Sequence, residues 1–161
     1  MGHDSAMTAQ REAIEQVYRD HGERLWRALL GYTGDPEIAR DAAAEAFAQA
    51  LARNGDLRSP ADWVWVSAFR IARGLMRDRP RAQPTPTSLR SAYDLPEPVV
   101  DVVRSLAQIS ERQRLVVVLH DYADRPTSEV AAMLGISTAT VYVHLSQGRR
   151  RLRKLLEGPD G

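Results

Sequence analysis

Apolar residues recur along this chain at three- and four-residue intervals and nowhere alternate over a useful length, so helices are predicted and strands are not. Ile14, Val17, Tyr18, Leu25, Trp26, Leu29 and Leu30 form the inner stripe of a first helix that ends near Gly31 to Gly34. Asp35 as N-cap and Pro36 at the first helical position open a second helix, which runs to Asn54 and Gly55. Ser59, Pro60 and Asp62 repeat that start signal for a third, continuing to about Arg79. Further on, Val99 to Ile109 is apolar at helical spacing, and Ser110 with Gln113 spells a capping box for a helix reaching Tyr122. Two more helices follow. The expected class is all-α, with small helical domains at 8–79 and 99–156.

Between them, residues 80–98 contain Pro80, Pro84, Pro86, Pro96 and Pro98, a density that stops helices and favours extended backbone. A loop of that length is uncommon inside one compact domain, so it reads as a linker. At ~3.1 Å per residue, about 19 residues span roughly 60 Å, enough to hold two domains on separate sites of a large partner.

The last two helices, TSEVAAMLGISTATVYVHLSQGRRRLRK, have helix-turn-helix spacing. Ala131 permits a close helix crossing, Gly135 can take the positive φ that ends the first helix, and Val141 points inward. Val141, Leu145 and Leu152 define the buried stripe of the second helix. The opposite face carries Ala139, Val143, Ser146, Gln147 and Arg150, flanked by Thr138, Tyr142 and Arg149, and such a face meets the major groove. Ser137 is the expected N-cap, aiming free amides at a phosphate. Arg149, Arg150, Arg151, Arg153 and Lys154 supply sequence-independent phosphate contacts. A small helical domain can hold such an Ala and Gly by chance, and an arginine run is often a solvated helix end; the coincidence of turn, stripe and basic cluster favours DNA.

Composition narrows the classes. With 161 residues, 43% hydrophobic, 27% charged and a net charge of +1, the chain is ordinary globular protein, and a nucleic-acid site must be a local basic patch. It has no cysteine, which removes disulfides, thiol redox sensing and cysteine-ligated zinc. No apolar run approaches the ~20 residues of a membrane span. The opening MGHDSAM lacks the core and cleavage site of a signal peptide, so a cytoplasmic location is expected, and these residues are left out of the expected fold. His21, His120 and His144 fall on separate helices without metal-ligand spacing, and neither a phosphate-cradling glycine loop nor a nucleophile-base pair is present. No cofactor, metal or catalytic residue is expected.

LAQISERQRLVVVLHDYADRPTSEVAAMLGISTATVYVHLSQGRRRLRKLL resembles the promoter-reading C-terminal domain of extracytoplasmic-function (ECF, group 4) sigma factors of bacterial RNA polymerase, in which a Leu-x-x-[Leu/Ile]-x-x-Arg-Gln-Arg helix pair precedes the helix-turn-helix. VYRDHGERLWRALLGYTGDPEIARDAAAEAFAQAL resembles the family's first conserved block, and SPADWVWVSAFRIARGLMRDR the segment that melts and reads the minus-ten element. The resemblance covers Ile14 to about Leu156, both domains in the family's order. It implies a subunit that binds core RNA polymerase, recognises promoter DNA and is held by an anti-sigma factor.

By that resemblance, Asp41 and Glu45 match the acidic positions of the Asp-x-x-Gln-Glu signature that docks on the polymerase clamp helices, with Ala44 replacing the glutamine. One turn apart, the carboxylates share a helix face suited to a basic partner. Phe47 and Leu51 are expected in the core. Asn54, Arg58, Trp65, Arg70, Arg73 and Arg77 are the candidates for the minus-ten strand, through aromatic stacking and phosphate neutralisation. Trp63 and Phe69 are expected as a buried pair. Ser137, Thr138, Ala139, Tyr142, Val143, Ser146, Gln147, Arg149 and Arg150 are the candidates for the minus-thirty-five element. Tyr142, Val143 and Gln147 depart from the basic residue, serine and arginine common there, so readout would rest on Gln147 with adenine and on Val143 or Ala139 with thymine methyls. Arg125 and Pro126 replace an apolar residue and a serine before the motif.

Other classes compete less well. A response-regulator type of transcription regulator needs a parallel α/β receiver, for which the N-terminal half offers no strands. An all-helical module acting only through a protein partner is opposed by Asp41, Glu45 and the arginines of the third helix. A membrane-surface helix is disfavoured because the basic run adjoins a helix-turn-helix core.

Overall fold

A computed structural model of the chain describes residues 2–53, 55, 57–79 and 94–158. Asn54 and residues 80–93, most of the expected linker, lie outside the described residues. The described chain forms α1 (Gly2–Thr33), α2 (Pro36–Ala52), α3 (Pro60–Asp78), α4 (Glu97–Leu106), α5 (Glu111–Val117), a π-helical turn (Val118–Tyr122), α6 (Thr127–Leu134) and α7 (Thr138–Glu157). The backbone falls into two compact units, residues 1–29 with 37–81 and residues 30–36 with 82–161.

Most boundaries follow local chemistry. Ser59 caps α3 by accepting from the Asp62 N–H at 3.4 Å, with Pro60 in the first turn. Ser110 and Gln113 form the reciprocal capping box of α5. Pro98, expected in the linker, lies instead in the first turn of α4, where its missing N–H has no partner to lose. Residues 2–7, left out of the expected fold, belong to α1. This exposed stretch and the Thr8, Ala9, Gln10 and Arg11 that follow hold no proline, so the helix extends beyond its apolar stripe.

In the N-terminal unit, Ile14, Leu25, Leu29, Ile38, Phe47, Val64, Trp65, Phe69, Ala72 and Met76 are buried. Tyr18 is 64% exposed despite lying on the expected stripe, because its ring meets Phe47 edge-on at 5.3 Å and only one side is covered. Leu51, expected in the core, is 48% exposed. In the C-terminal unit α7 packs on α4, α5 and α6. Its core holds Val100, Val103, Leu106, Leu115, Leu119, Val130, Val141 and Leu145. Arg114 is buried there without wasting its donors: Nε gives a 2.6 Å hydrogen bond to the Tyr32 carbonyl, and Nη1 reaches the carbonyls of Leu106 and Ile109 at 3.4 and 3.3 Å.

Candidate nucleic-acid interface

The helix-turn-helix comprises α6, a glycine turn and α7. Gly135 sits at φ +67°, the left-handed conformation that a side chain would strain, and its N–H reaches back to the carbonyls of Ala131 and Ala132. Ser137 caps α7, its Oγ accepting from the Thr140 N–H at 3.1 Å. Val141 and Leu145 are buried, as their spacing predicts, while Leu152 is only partly covered. Thr138, Ala139, Tyr142, Val143, Ser146, Gln147, Arg149 and Arg150 are all exposed. The apolar side chains of Tyr142 and Val143 are 57% and 52% exposed on that face.

Three contacts set the pose of α7. Gly148 is buried, and a Cβ placed there would come within 2.9 Å of Val117 Cγ2 and 3.3 Å of Gln113 Cβ, so α5 and α7 approach closely only because this residue has no side chain. The Gln113 side chain, besides closing its capping box, donates to Gln147 Oε1 at 3.4 Å. Asp121 on the π-helical turn takes a two-pronged ion pair from Arg149, through Nε at 2.8 Å and through Nη2. That pairing holds the Asp121 carboxyl below its usual range, against the opposing effect of its burial, and pushes the Arg149 guanidinium up. Arg149, expected among the DNA contacts, is thus already engaged within its own domain. Arg150, Arg151, Arg153 and Lys154 have no ion pair among the described residues.

In the N-terminal unit the two tryptophans exchange their expected places. Trp65, a candidate for the DNA strand, is 2% exposed and stacks on Phe69 with ring centroids 6.3 Å apart. Trp63, expected in the core, is partly exposed, with the Arg53 guanidinium 5.3 Å from its ring centroid. The stripe Trp65, Phe69, Ala72, Met76 follows the helical i, i+4, i+7, i+11 spacing, a readable signal that leaves Trp63 outside. Arg58, Arg70 and Arg77 are exposed and Arg73 partly so, and none has an ion pair among the described residues. Arg53 joins them as a residue missed from sequence. Its partner is the aromatic ring of Trp63, ten positions on and in a different helix, a pairing that no local periodicity encodes.

Asp41 and Glu45 lie one turn apart on α2. Asp41 pairs with Arg79 at 2.8 Å, both side chains nearly half exposed, and Glu45 accepts from Gln49. Beside them Tyr18, Gly22, Trp26, Ala43, Ala44 and Phe47 line an open groove of about 460 Å³. Among the described residues no cluster of His, Cys, Asp or Glu could hold a metal, and no helix is long and apolar enough to cross a membrane.

Residues 100–152 match the family described as Sigma-70, region 4. Over 94% of its length the chain is 28% identical to the ECF RNA polymerase sigma factor SigL of Mycobacterium tuberculosis, covering 93% of that protein. It is 29% identical to SigM, an ECF sigma factor of the same organism, over 93% of this chain and 80% of that one. To the RNA polymerase sigma factor YlaC of Bacillus subtilis it is 25% identical, over 89% and 92%. Its fold superposes on CnrH, solved in complex with the cytosolic domain of CnrY, with a TM-score of 0.70 at 22% identity, covering 97% and 95% of the two chains.

Proposed function

We propose that the chain is an extracytoplasmic-function sigma factor of bacterial RNA polymerase, which binds core polymerase in the cytoplasm and directs it to promoters. The residues 8–79 domain binds the core and reads the minus-ten strand; the residues 99–156 domain reads the minus-thirty-five duplex; the Pro-rich segment tethers them. Asp41 and Glu45 offer a carboxylate face to the polymerase, Asp41 exchanging its partly exposed Arg79 pair for a partner's cation. Arg53, Arg58, Trp63, Arg70, Arg73 and Arg77 hold single-stranded DNA, Trp63 as a stacking platform in place of Trp65. Ala139, Val143, Ser146 and Gln147 meet base edges, and Arg150 meets phosphate. RNA synthesis stays with the polymerase, and an anti-sigma factor holds the free protein.

The observation that carries this reading is the solvent-facing surface of α7, apolar and polar in turn at base-reading positions, on a capped helix within the region 4 match. The test is co-purification with core polymerase and transcription from a promoter library. Asp41→Ala/Glu45→Ala should lose core binding by a few kcal/mol, on the order of 100-fold, where those charges become desolvated. Undiminished binding removes the assignment of this face.

A further inference from the structure

The side chain of Gln10, in the third turn of α1, reaches across to the connection between α2 and α3 and bonds its backbone at both ends. Gln10 Nε2 donates to the carbonyl of Arg53 at 3.2 Å, and Gln10 Oε1 accepts from the N–H of Leu57 at 3.0 Å. Arg53 is the residue that closes α2, its N–H returning to the Ala50 carbonyl, and Leu57 stands two residues before the Ser59 cap of α3. One primary amide, which offers a donor and an acceptor together, therefore bridges the exit of one helix and the approach to the next. Arg53 also lies over Trp63. The Gln10 bridge thereby fixes the backbone from which the cation of that pair projects, and it precedes Ile14, where the family resemblance begins.

We propose that Gln10 is a positioning residue for minus-ten recognition: by clamping Arg53 and Leu57 it sets the geometry in which Arg53, Arg58 and Trp63 meet the single strand. This rests on the single-strand reading of those residues given above. A side chain on the first turns of α1 would then govern promoter discrimination while touching no DNA.

The experiment uses the full chain, alone and as holoenzyme with core RNA polymerase, comparing wild type, Gln10→Ala and Gln10→Glu. Glutamate keeps the acceptor for Leu57 and loses the donor for Arg53. Hydrogen exchange on the chain alone reads the clamp directly: the Leu57 amide should exchange about three- to tenfold faster in Gln10→Ala and stay near wild type in Gln10→Glu. Holoenzyme selection from single-stranded oligonucleotides randomised over the minus-ten positions reads its consequence. The preference between best and poorest bases should shrink by about three- to tenfold in Gln10→Ala and by less in Gln10→Glu, with core affinity and thermal midpoint unchanged. An unchanged Leu57 exchange rate overturns the clamp. Faster exchange with unaltered base preference overturns its role in reading. A wild-type holoenzyme without base preference over a clamp that exchange confirms would instead overturn the single-strand reading beneath it.

Discussion

The two units hold their candidate DNA-contacting residues by different means. In the C-terminal unit the candidate reading surface is one face of a single helix, held along α5 and the π-helical turn by the side-chain-free approach at Gly148, the Gln113 contact and the Asp121–Arg149 pair. In the N-terminal unit the candidates are spread over the end of a connection and the length of α3, and among the described residues the side-chain contacts that reach the connection from outside it are those of Gln10 and Trp63. The contrast suits the two proposed substrates. Duplex DNA presents a groove of fixed shape, which rewards a rigid helix, whereas a single strand supplies flexible, unstacked bases that a modestly tethered surface can follow.

All three tryptophans, Trp26, Trp63 and Trp65, lie in the N-terminal unit, so their fluorescence follows that unit while far-ultraviolet circular dichroism follows both. The largest expected effect is Trp65→Ala, which empties a buried ring site beside Phe69 and should cost about 3–5 kcal/mol of N-terminal stability. Trp63→Ala should cost far less stability but weaken single-stranded DNA binding by roughly 1–3 kcal/mol. Urea unfolding followed by fluorescence, with oligonucleotide binding by the holoenzyme, separates the two. If Trp63→Ala proves the more destabilising, the assignment of platform and core is inverted.

Next in size is Gly148→Ala, where two effects oppose. Alanine is favoured over glycine in a helix by ~1 kcal/mol, but the new Cβ meets the stiff, buried Val117 side chain at 2.9 Å, and overpacking typically costs about 1–3 kcal/mol. The steric term wins, so the dichroism transition should fall while the fluorescence midpoint holds. Val117→Ala in the same chain should restore it. A stabilised Gly148→Ala would mean that α5 and α7 have room to part, and the rigidity ascribed to this unit would fail.

What could be read from the chain alone divides along the same line. Ser59, Ser110, Gly135 and Ser137 were legible as helix boundaries because caps act over three or four residues, and the inward Val141 and Leu145 because a helix repeats. Tethers over distance were not: Gln10 meets residues 43 and 47 positions away, and Asp121 meets Arg149 at a separation of 28. Arg149 looked like its neighbours in an arginine run, and only the fold supplies the carboxylate that distinguishes it. The tryptophan exchange was a misread phase. Two positions along a helix turn by about 200°, so Trp63 and Trp65 occupy nearly opposite faces and only one could join the Phe69 stripe.

On α7, Gln147→Ala should cost roughly 1–3 kcal/mol on the preferred minus-thirty-five duplex and much less on a mismatched one. Arg150→Ala should instead weaken all duplexes about equally and reduce the salt slope by about one. Arg149→Ala should leave the slope nearly unchanged, since that guanidinium is spent on Asp121. Binding of the full chain to matched and mismatched duplexes over a range of salt distinguishes the three. Equal losses on both duplexes for Gln147→Ala would show that this helix face is not the reader.

The smallest expected effect is a pH dependence confined to one unit. Asp121 is held below its ordinary pKa chiefly by the Arg149 hydrogen bond, with His120 assisting. A carboxylate with a depressed folded-state pKa adds stability above its unfolded pKa, ~3.9, and that contribution disappears as pH falls through the lower folded value. The C-terminal unit should therefore lose stability on acidification below about pH 4, and the Asp121→Asn chain, starting from a slightly lower neutral midpoint, should show a flatter acid limb. The side chain is about a third exposed, so screening keeps the difference modest and added salt should shrink it further. Urea midpoints by dichroism from pH 7 to pH 3 give the comparison, with tryptophan fluorescence from the N-terminal unit as the internal control. Identical acid limbs for wild type and Asp121→Asn would mean that the pair does not hold α7 in solution, returning Arg149 to the free arginines and leaving Gly148 and the Gln113 contact to set the helix pose.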